Sequence, residues 1–374
     1  MNPRVPRRDV ASALPDFPWD SLASYKATAT SHPDGIVDLS MGSPVDPVPT
    51  AVIDAALSAA NSPGYPTTAG TPQFRQAVST WLAHALGVSD YPADAVLPTM
   101  GSKEAVAWLP LMLGFGAGHT VIAPRLAYPT YEVGAIVAGC DFVRADDPSQ
   151  WPANADIALV WLNSPSNPTG KVLSADEMRR LVDAARERGA IVASDECYIE
   201  LTWDQPATSV LHPSVCGGDY QGLLALHSLS KRSNLAGYRV ASITGDASLV
   251  DQLLQVRKHL GHLVPTPMLA AACAAYADVD QAARMREVYG RRRYLLTAAL
   301  AEAGFTCEPE AGSLFIWASR GEDCWRTVAR LAESGILVAP GTFYGPEGSS
   351  HVRIALTASD AAINQAVLRL SHLR

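Results

Sequence analysis

The sequence is short of what several protein classes require. Its six cysteines, at 140, 197, 216, 273, 307 and 324, are scattered and form no Cys-x2-Cys pair, so neither a disulfide framework nor a zinc site is indicated, and no metal is expected. No run approaches the ~20 apolar residues of a membrane span. The basic stretch at residues 1–10 leads into no apolar segment of signal-peptide length. Basic tracts with interleaved aromatics are also missing and the net charge is −8, which argues against nucleic acid as a partner. Internal repeats and low-complexity tracts are absent. These absences leave a protein expected in the cytoplasm, away from membranes, working on small molecules. An anionic ligand would need local arginines, because the overall field does not attract it.

What is present describes a globular chain, with 48% hydrophobic and 18% charged residues over 374 positions, enough for one large domain and a smaller one. From about residue 119, strand and helix patterns alternate. Residues 119–124, 141–145, 157–162 and 190–195 are apolar runs of strand length, 131–139 has helical character, and Ser174-Ala175-Asp176-Glu177 is a capping box that opens a helix to Arg188. Alternation without hairpin signals predicts an α/β fold, a mostly parallel sheet covered by helices on both faces, whose ligands bind beyond the carboxyl ends of the strands. From about 260 the pattern changes to an Ala-rich helix, an Arg-rich helix and short strands at 312–317, 336–339 and 351–356, a small α+β domain. The expected divisions are an N-terminal arm and small-domain segment at 1–40, a large domain at 41–255 and a small C-terminal domain at 256–374.

Residues with chemical potential gather at strand ends. Asn163-Ser164-Pro165-Ser166-Asn167-Pro168-Thr169-Gly170 leaves one strand, Asp195-Glu196-Cys197-Tyr198 the next, and Ser228-Leu229-Ser230-Lys231 a third. A lysine at the end of a buried strand is costly without a partner or a task. A desolvated amine near other cations loses its proton readily and forms a Schiff base with an aldehyde; once released, it carries protons. Gly101-Ser102-Lys103 opens another helix, with Ser102 as the expected N-cap and free N–H groups behind it, a ready anion site.

Ser228, Ser230, Lys231 and Arg239 together resemble the pyridoxal-phosphate lysine region of the class I/II aminotransferases, which have the fold-type I architecture. Residues 163–170 are similar to the N-P-x-N-P-T-G signature of that family, with serines at 164 and 166 as departures that leave Asn167 in place. Tyr65, Gly70 and Arg75 fit its Y-x-x-x-x-G-x-x-x-L/F-R stretch, and the likeness runs from about Asp16 to Leu373. It implies pyridoxal 5'-phosphate held by Lys231, with Asp195 on the pyridine nitrogen, Asn167 and Tyr198 on the phenolic oxygen, and Tyr128 stacked on the ring. It implies Gly101, Ser102, Lys103, Ser228 and Arg239 around the phosphate, with Tyr65 reaching the phosphate of the other subunit in a homodimer with shared sites. Arg353 would clamp the substrate α-carboxylate, with Gly42 and Asn167 beside it, as amino acids and 2-oxo acids exchange their amino groups.

In detail the chain is similar to the actinobacterial-type N-succinyldiaminopimelate aminotransferases, on residues 14–20, 163–171, 227–231 and 341–346. That implies N-succinyl-LL-diaminopimelate as substrate, with 2-oxoglutarate and glutamate, in lysine biosynthesis. Lys103 is the first candidate for the distal carboxylate, and Arg257, Lys258, His259 and His262 are alternatives. Two other readings stand beside this one. A C–S β-lyase would use the same cofactor, and a regulator would use the fold as a ligand sensor. The regulator needs an N-terminal DNA-binding domain, for which a fold that starts within the first forty residues leaves no room.

Overall fold

The computed structural model describes residues 9–309 and 311–373; the basic residues 1–8 lie outside the described part. The central sheet has seven strands: β1 (Leu97–Thr99), β2 (His119–Ala123), β3 (Asp141–Arg144), β4 (Asp156–Asn163), β5 (Ile191–Asp195), β6 (Leu223–Ser228) and β7 (Ala241–Gly245). Their order is β1-β7-β6-β5-β4-β2-β3, all parallel except β7, which runs against both its neighbours.

The expected double cover is visible in side-chain alternation. Leu159, Trp161, Ala193 and Leu224 face the helices Ser102–Met112, Thr130–Ala138 and Ala247–Leu260. Val160, Leu162, Val192 and Ala225 face Pro72–Leu86, Ala175–Glu187 and Thr266–Ala277. A strand buried on both faces has no polar alternation, and Ile157 to Asn163 of β4 are all buried. The capping box forms, with the Ser174 hydroxyl and the Glu177 carboxylate each satisfying the other's backbone N–H.

The alanine-rich helix Thr266–Ala277 packs against Thr50–Ser58 and Pro72–Leu86. Its small side chains allow that close seat, and the core of the larger unit therefore extends past the division expected at 255. The smaller unit is an antiparallel four-stranded sheet, ordered Ala339–Pro340, His351–Ala355, Phe315–Ser319, Thr306–Cys307. Helix Cys324–Glu333 turns Cys324, Thr327, Val328, Leu331 and Ala332 inward, the stripe an amphipathic helix requires. Val37–Asp38 pairs in parallel with Ile336–Leu337, and Leu22, Ala29 and Leu39 join the same core, so the N-terminal segment packs as part of this unit. Among the described residues no helix is long and apolar enough to cross a membrane.

Candidate active site

The carboxyl ends of β4, β5 and β6 lie side by side, in a register that sets Asn163 opposite Asp195 and Asp195 opposite Leu226. The segments leaving these strands converge on a cavity of about 650 Å³ between the two units, bounded by Ser102, Tyr128, Asp195 and Lys231 on one side and by Phe315 and Arg353 on the other.

Lys231 lies in the one-turn helix Leu229–Arg232, which Ser228 caps by accepting from the Ser230 N–H at 3.1 Å. Its Nζ donates to the carbonyl of Gly42. Burial, with the Arg353 and Arg239 cations adding to it, pulls the amine from 10.5 down to about 8. Gly42 has to be glycine, since a Cβ there would stand 2.6 Å from the Phe315 ring.

Asp195 is buried, and its carboxylate accepts from Tyr131 Oη at 2.9 Å and from the Cys197 N–H at 3.3 Å. Burial raises its pKa and those two donors oppose the rise. The Tyr131 ring is stacked on Trp161, with centroids 4.7 Å apart and 17° between planes. Burial keeps the Tyr131 phenol protonated and hence a donor. Tyr128 meets Tyr131 edge to face at 5.8 Å, and burial pushes its hydroxyl up to about 12. Tyr198 packs on Phe315 at 5.7 Å and is likewise held protonated by burial.

Arg353 is 4% exposed in the middle of its strand. Its Nη1 donates to Asn167 Oδ1 at 2.9 Å and its Nη2 to the Ser40 carbonyl at 2.7 Å, while its guanidinium lies 3.8 Å from the Phe315 ring centroid. Asn167 is tied back through its own N–H to Asn163 Oδ1 at 2.7 Å.

The helix start beside Lys231 differs from expectation in one respect. Gly101, not Ser102, is the N-cap, with φ 79°, and Ser102 is the first helical residue. The left-handed backbone favours glycine, and a Cβ would come 2.1 Å from Arg239 Nη2. Arg239, itself left-handed at φ 56°, donates to the carbonyls of Ala236 at 2.9 Å and Met100 at 3.2 Å. Lys103 is exposed at the cavity, its Nζ 5.6 Å from the Phe17 ring. Tyr65 is 97% exposed and does not border this cavity within its own chain. The alternative distal anchors are elsewhere too. Arg257 is buried against Glu104, with contacts of 2.8 and 3.3 Å, His262 stands 2.9 Å from the same carboxylate, and Lys258 donates to Gln255 at 3.0 Å. Neither these three nor His259 borders the cavity.

A buried amine of lowered pKa, a buried carboxylate fixed by two donors, and a helix start that opens beside an arginine too closely for any Cβ form a set that fits pyridoxal phosphate. Fold and site thus define a fold-type I pyridoxal-phosphate enzyme. Residues 34–370 match the aminotransferase class I and II family, and the chain belongs to it. It is 53% identical over 358 residues to a 4-dedimethylamino-4-oxo-anhydrotetracycline transaminase of Streptomyces rimosus, covering 96% of this chain and 99% of that one. It is 52% identical to a probable aminotransferase of Mycobacterium tuberculosis, over 98% of this chain and 87% of the other. The solved N-succinyldiaminopimelate aminotransferase of Mycobacterium tuberculosis superposes with a TM-score of 0.85 at 26% identity, over 95% of this chain and 97% of that one.

Three further residues belong to this arrangement without a role of their own expected from the sequence: Tyr131 donates to Asp195, and Cys197 and Ser230 line the cavity. Tyr131 was legible only as the start of a helix. Its distance of three positions from Tyr128, one helical turn, was the signal that both rings share a face.

Proposed function

We propose that the chain transaminates N-succinyl-LL-diaminopimelate with 2-oxoglutarate and glutamate in diaminopimelate and lysine biosynthesis. The observation that carries this reading is the pairing of cations on one cavity, Arg353 buried inside it and Lys103 exposed at its helix-start side. A substrate with an α-amino acid head and a distal carboxylate needs both. The Mycobacterium tuberculosis enzyme of that name shares the fold at 26% identity.

When bound, pyridoxal phosphate supplies an aldehyde for the amino group and a ring that takes up the electrons of the Cα–H bond. The chain's residues do the rest. Lys231, whose amine burial pulls down to a pKa of about 8, would hold the cofactor and move the proton at the substrate Cα. Asp195 would keep the pyridine nitrogen protonated. Asn167 and Tyr198 would donate to the phenolic oxygen, Tyr128 would lie against the ring, and Gly101, Ser102, Lys103, Ser228 and Arg239 would receive the phosphate. Arg353 orients the α-carboxylate through its planar fork. Tyr65, exposed and away from its own cavity, serves the partner's site in a homodimer. The six cysteines form no disulfide with one another, which suits a reducing cytoplasm.

In single-turnover spectra, N-succinyl-LL-diaminopimelate should convert the cofactor to its amine form far faster than aspartate or alanine does, and Lys103→Met should slow donors with a distal carboxylate more than donors without one. Equal rates with alanine would overturn the assignment. The apolar arm, with Leu14, Phe17 and Trp19 against the cavity beside Met41, favours a second reading in which a polycyclic ketone is the acceptor, as the name of the Streptomyces rimosus relative indicates. Rapid reoxidation of the amine form by such a ketone, and not by 2-oxoglutarate, would select it.

A further inference from the structure

One side chain outside the cavity ties its two walls together. Arg144 ends β3, the edge strand, and does not border the cavity. Its Nη1 donates to two carbonyls, Arg125 at 3.2 Å and Tyr344 at 3.0 Å, and its Nη2 donates to Glu132 Oε2 at 2.7 Å. These three acceptors belong to different parts of the site. Arg125 opens the loop that carries Tyr128. Glu132 follows Tyr131, the donor to Asp195, in the first turn of its helix. Tyr344 belongs to the smaller unit, and its ring lies 4.9 Å from the Arg353 guanidinium.

Other contacts close the same seam. The Ala127 N–H donates to the Tyr344 carbonyl at 2.9 Å, so that oxygen receives two donors from the larger unit. Arg125 pairs with Glu347 two residues further along the Gly345 loop. Gly345 has φ 148°, and a Cβ on it would stand 2.4 Å from the Arg125 carbonyl and 3.4 Å from Arg144 Nη1. The two backbones approach as closely as glycine allows.

We infer that Arg144 is a positioning residue for transamination, setting the gap between the wall that holds Tyr128 and Asp195 and the wall that holds Arg353. A substrate that spans this gap, α-carboxylate on one wall and reacting Cα against Lys231 on the other, depends on its width. An amine without a carboxylate touches one wall only and does not. A guanidinium reaches three acceptors in one plane, whereas an ammonium on a flexible stem keeps the charge but not the bridge. The inference rests on Arg353 as the carboxylate anchor.

The test measures half-reactions of the holoenzyme with glutamate and with a carboxylate-free primary amine. Arg144→Gln should lower the rate constant at subsaturating glutamate about tenfold, leave the slow amine reaction and the cofactor affinity within twofold, and be rescued little by Arg144→Lys. Gly345→Ala, which pries the same seam from the other side, should give the same selective loss and stands in if Arg144→Gln does not fold. An equal loss on both donors, or full recovery with lysine, would show that Arg144 only stabilises the fold. Arg353→Lys, run in parallel, separates the premises. If it shows no carboxylate-selective loss, the anchor is wrong; if it does and both seam variants do not, the role of Arg144 alone is wrong.

Discussion

Tyr131 Oη and Asp195 Oδ2 stand 2.9 Å apart, and with the phenol held protonated by burial the bond runs from tyrosine to carboxylate. The donor works against the burial that raises the Asp195 pKa. In the role proposed for Asp195, facing the pyridine nitrogen, the carboxylate has to stay charged, and this hydrogen bond would then act on the reaction through Asp195.

Tyr131→Phe keeps the stack on Trp161 and removes the donor. Losing one hydrogen bond to a charged group costs about 1.5 kcal/mol, on the order of tenfold in kcat. The Asp195 pKa should rise further, so the acid limb of the kcat profile should move to higher pH. A profile that does not move would mean that Tyr131 serves packing alone.

Lys231 attacks an aldehyde only as the neutral amine. With its pKa lowered from 10.5 to about 8, the capture of pyridoxal phosphate by apoenzyme should rise as pH increases through about 8 and level off above it. Arg353→Gln removes a cation that lowers this pKa and should shift the midpoint upward. Borohydride trapping followed by peptide mapping reads both, and label on Lys103 instead would refute the assignment.

Arg353→Lys keeps the charge but loses the fork that now spans Asn167 and Ser40. The specificity constant for every amino acid donor should fall by about 2 to 4 kcal/mol, as for a desolvated carboxylate contact. An unchanged constant would remove Arg353 from the site.

Mixing Tyr65→Phe subunits with Lys231→Ala subunits should restore activity that neither has alone, since a hybrid dimer holds one site with both native residues. A fully active monomer at low concentration would exclude shared sites.

Much of this molecule is legible in its sequence. The apolar runs ending in Asn163, Asp195 and Ser228 show three strands whose polar ends meet, because a strand buried on both faces stops where its side chains become polar. What the sequence hides is partnership. Arg257 looks like a free cation near a junction, but Glu104 neutralises it in the core. Arg144 looks like an ordinary polar strand end, and its acceptors lie 19, 12 and 200 positions away. Ser102 looks like the cap because hydroxyls usually are, whereas the crowding from Arg239 that puts Gly101 there comes from across the fold. Helix Thr266–Ala277 is alanine-rich all round, and such a pattern does not show which core it joins.

The bonds that assemble this site span great lengths of chain. Arg353 reaches partners 186 and 313 positions away, and Lys231 one 189 positions away. Closing loops of that size costs entropy that contacts formed elsewhere in the fold help to offset. The amine and its anchor should therefore come together late in refolding rather than seed it. After dilution from denaturant, helical signal should return first and the yellow of bound cofactor last, which would make pyridoxal phosphate a witness to the finished chain and not a scaffold for building it.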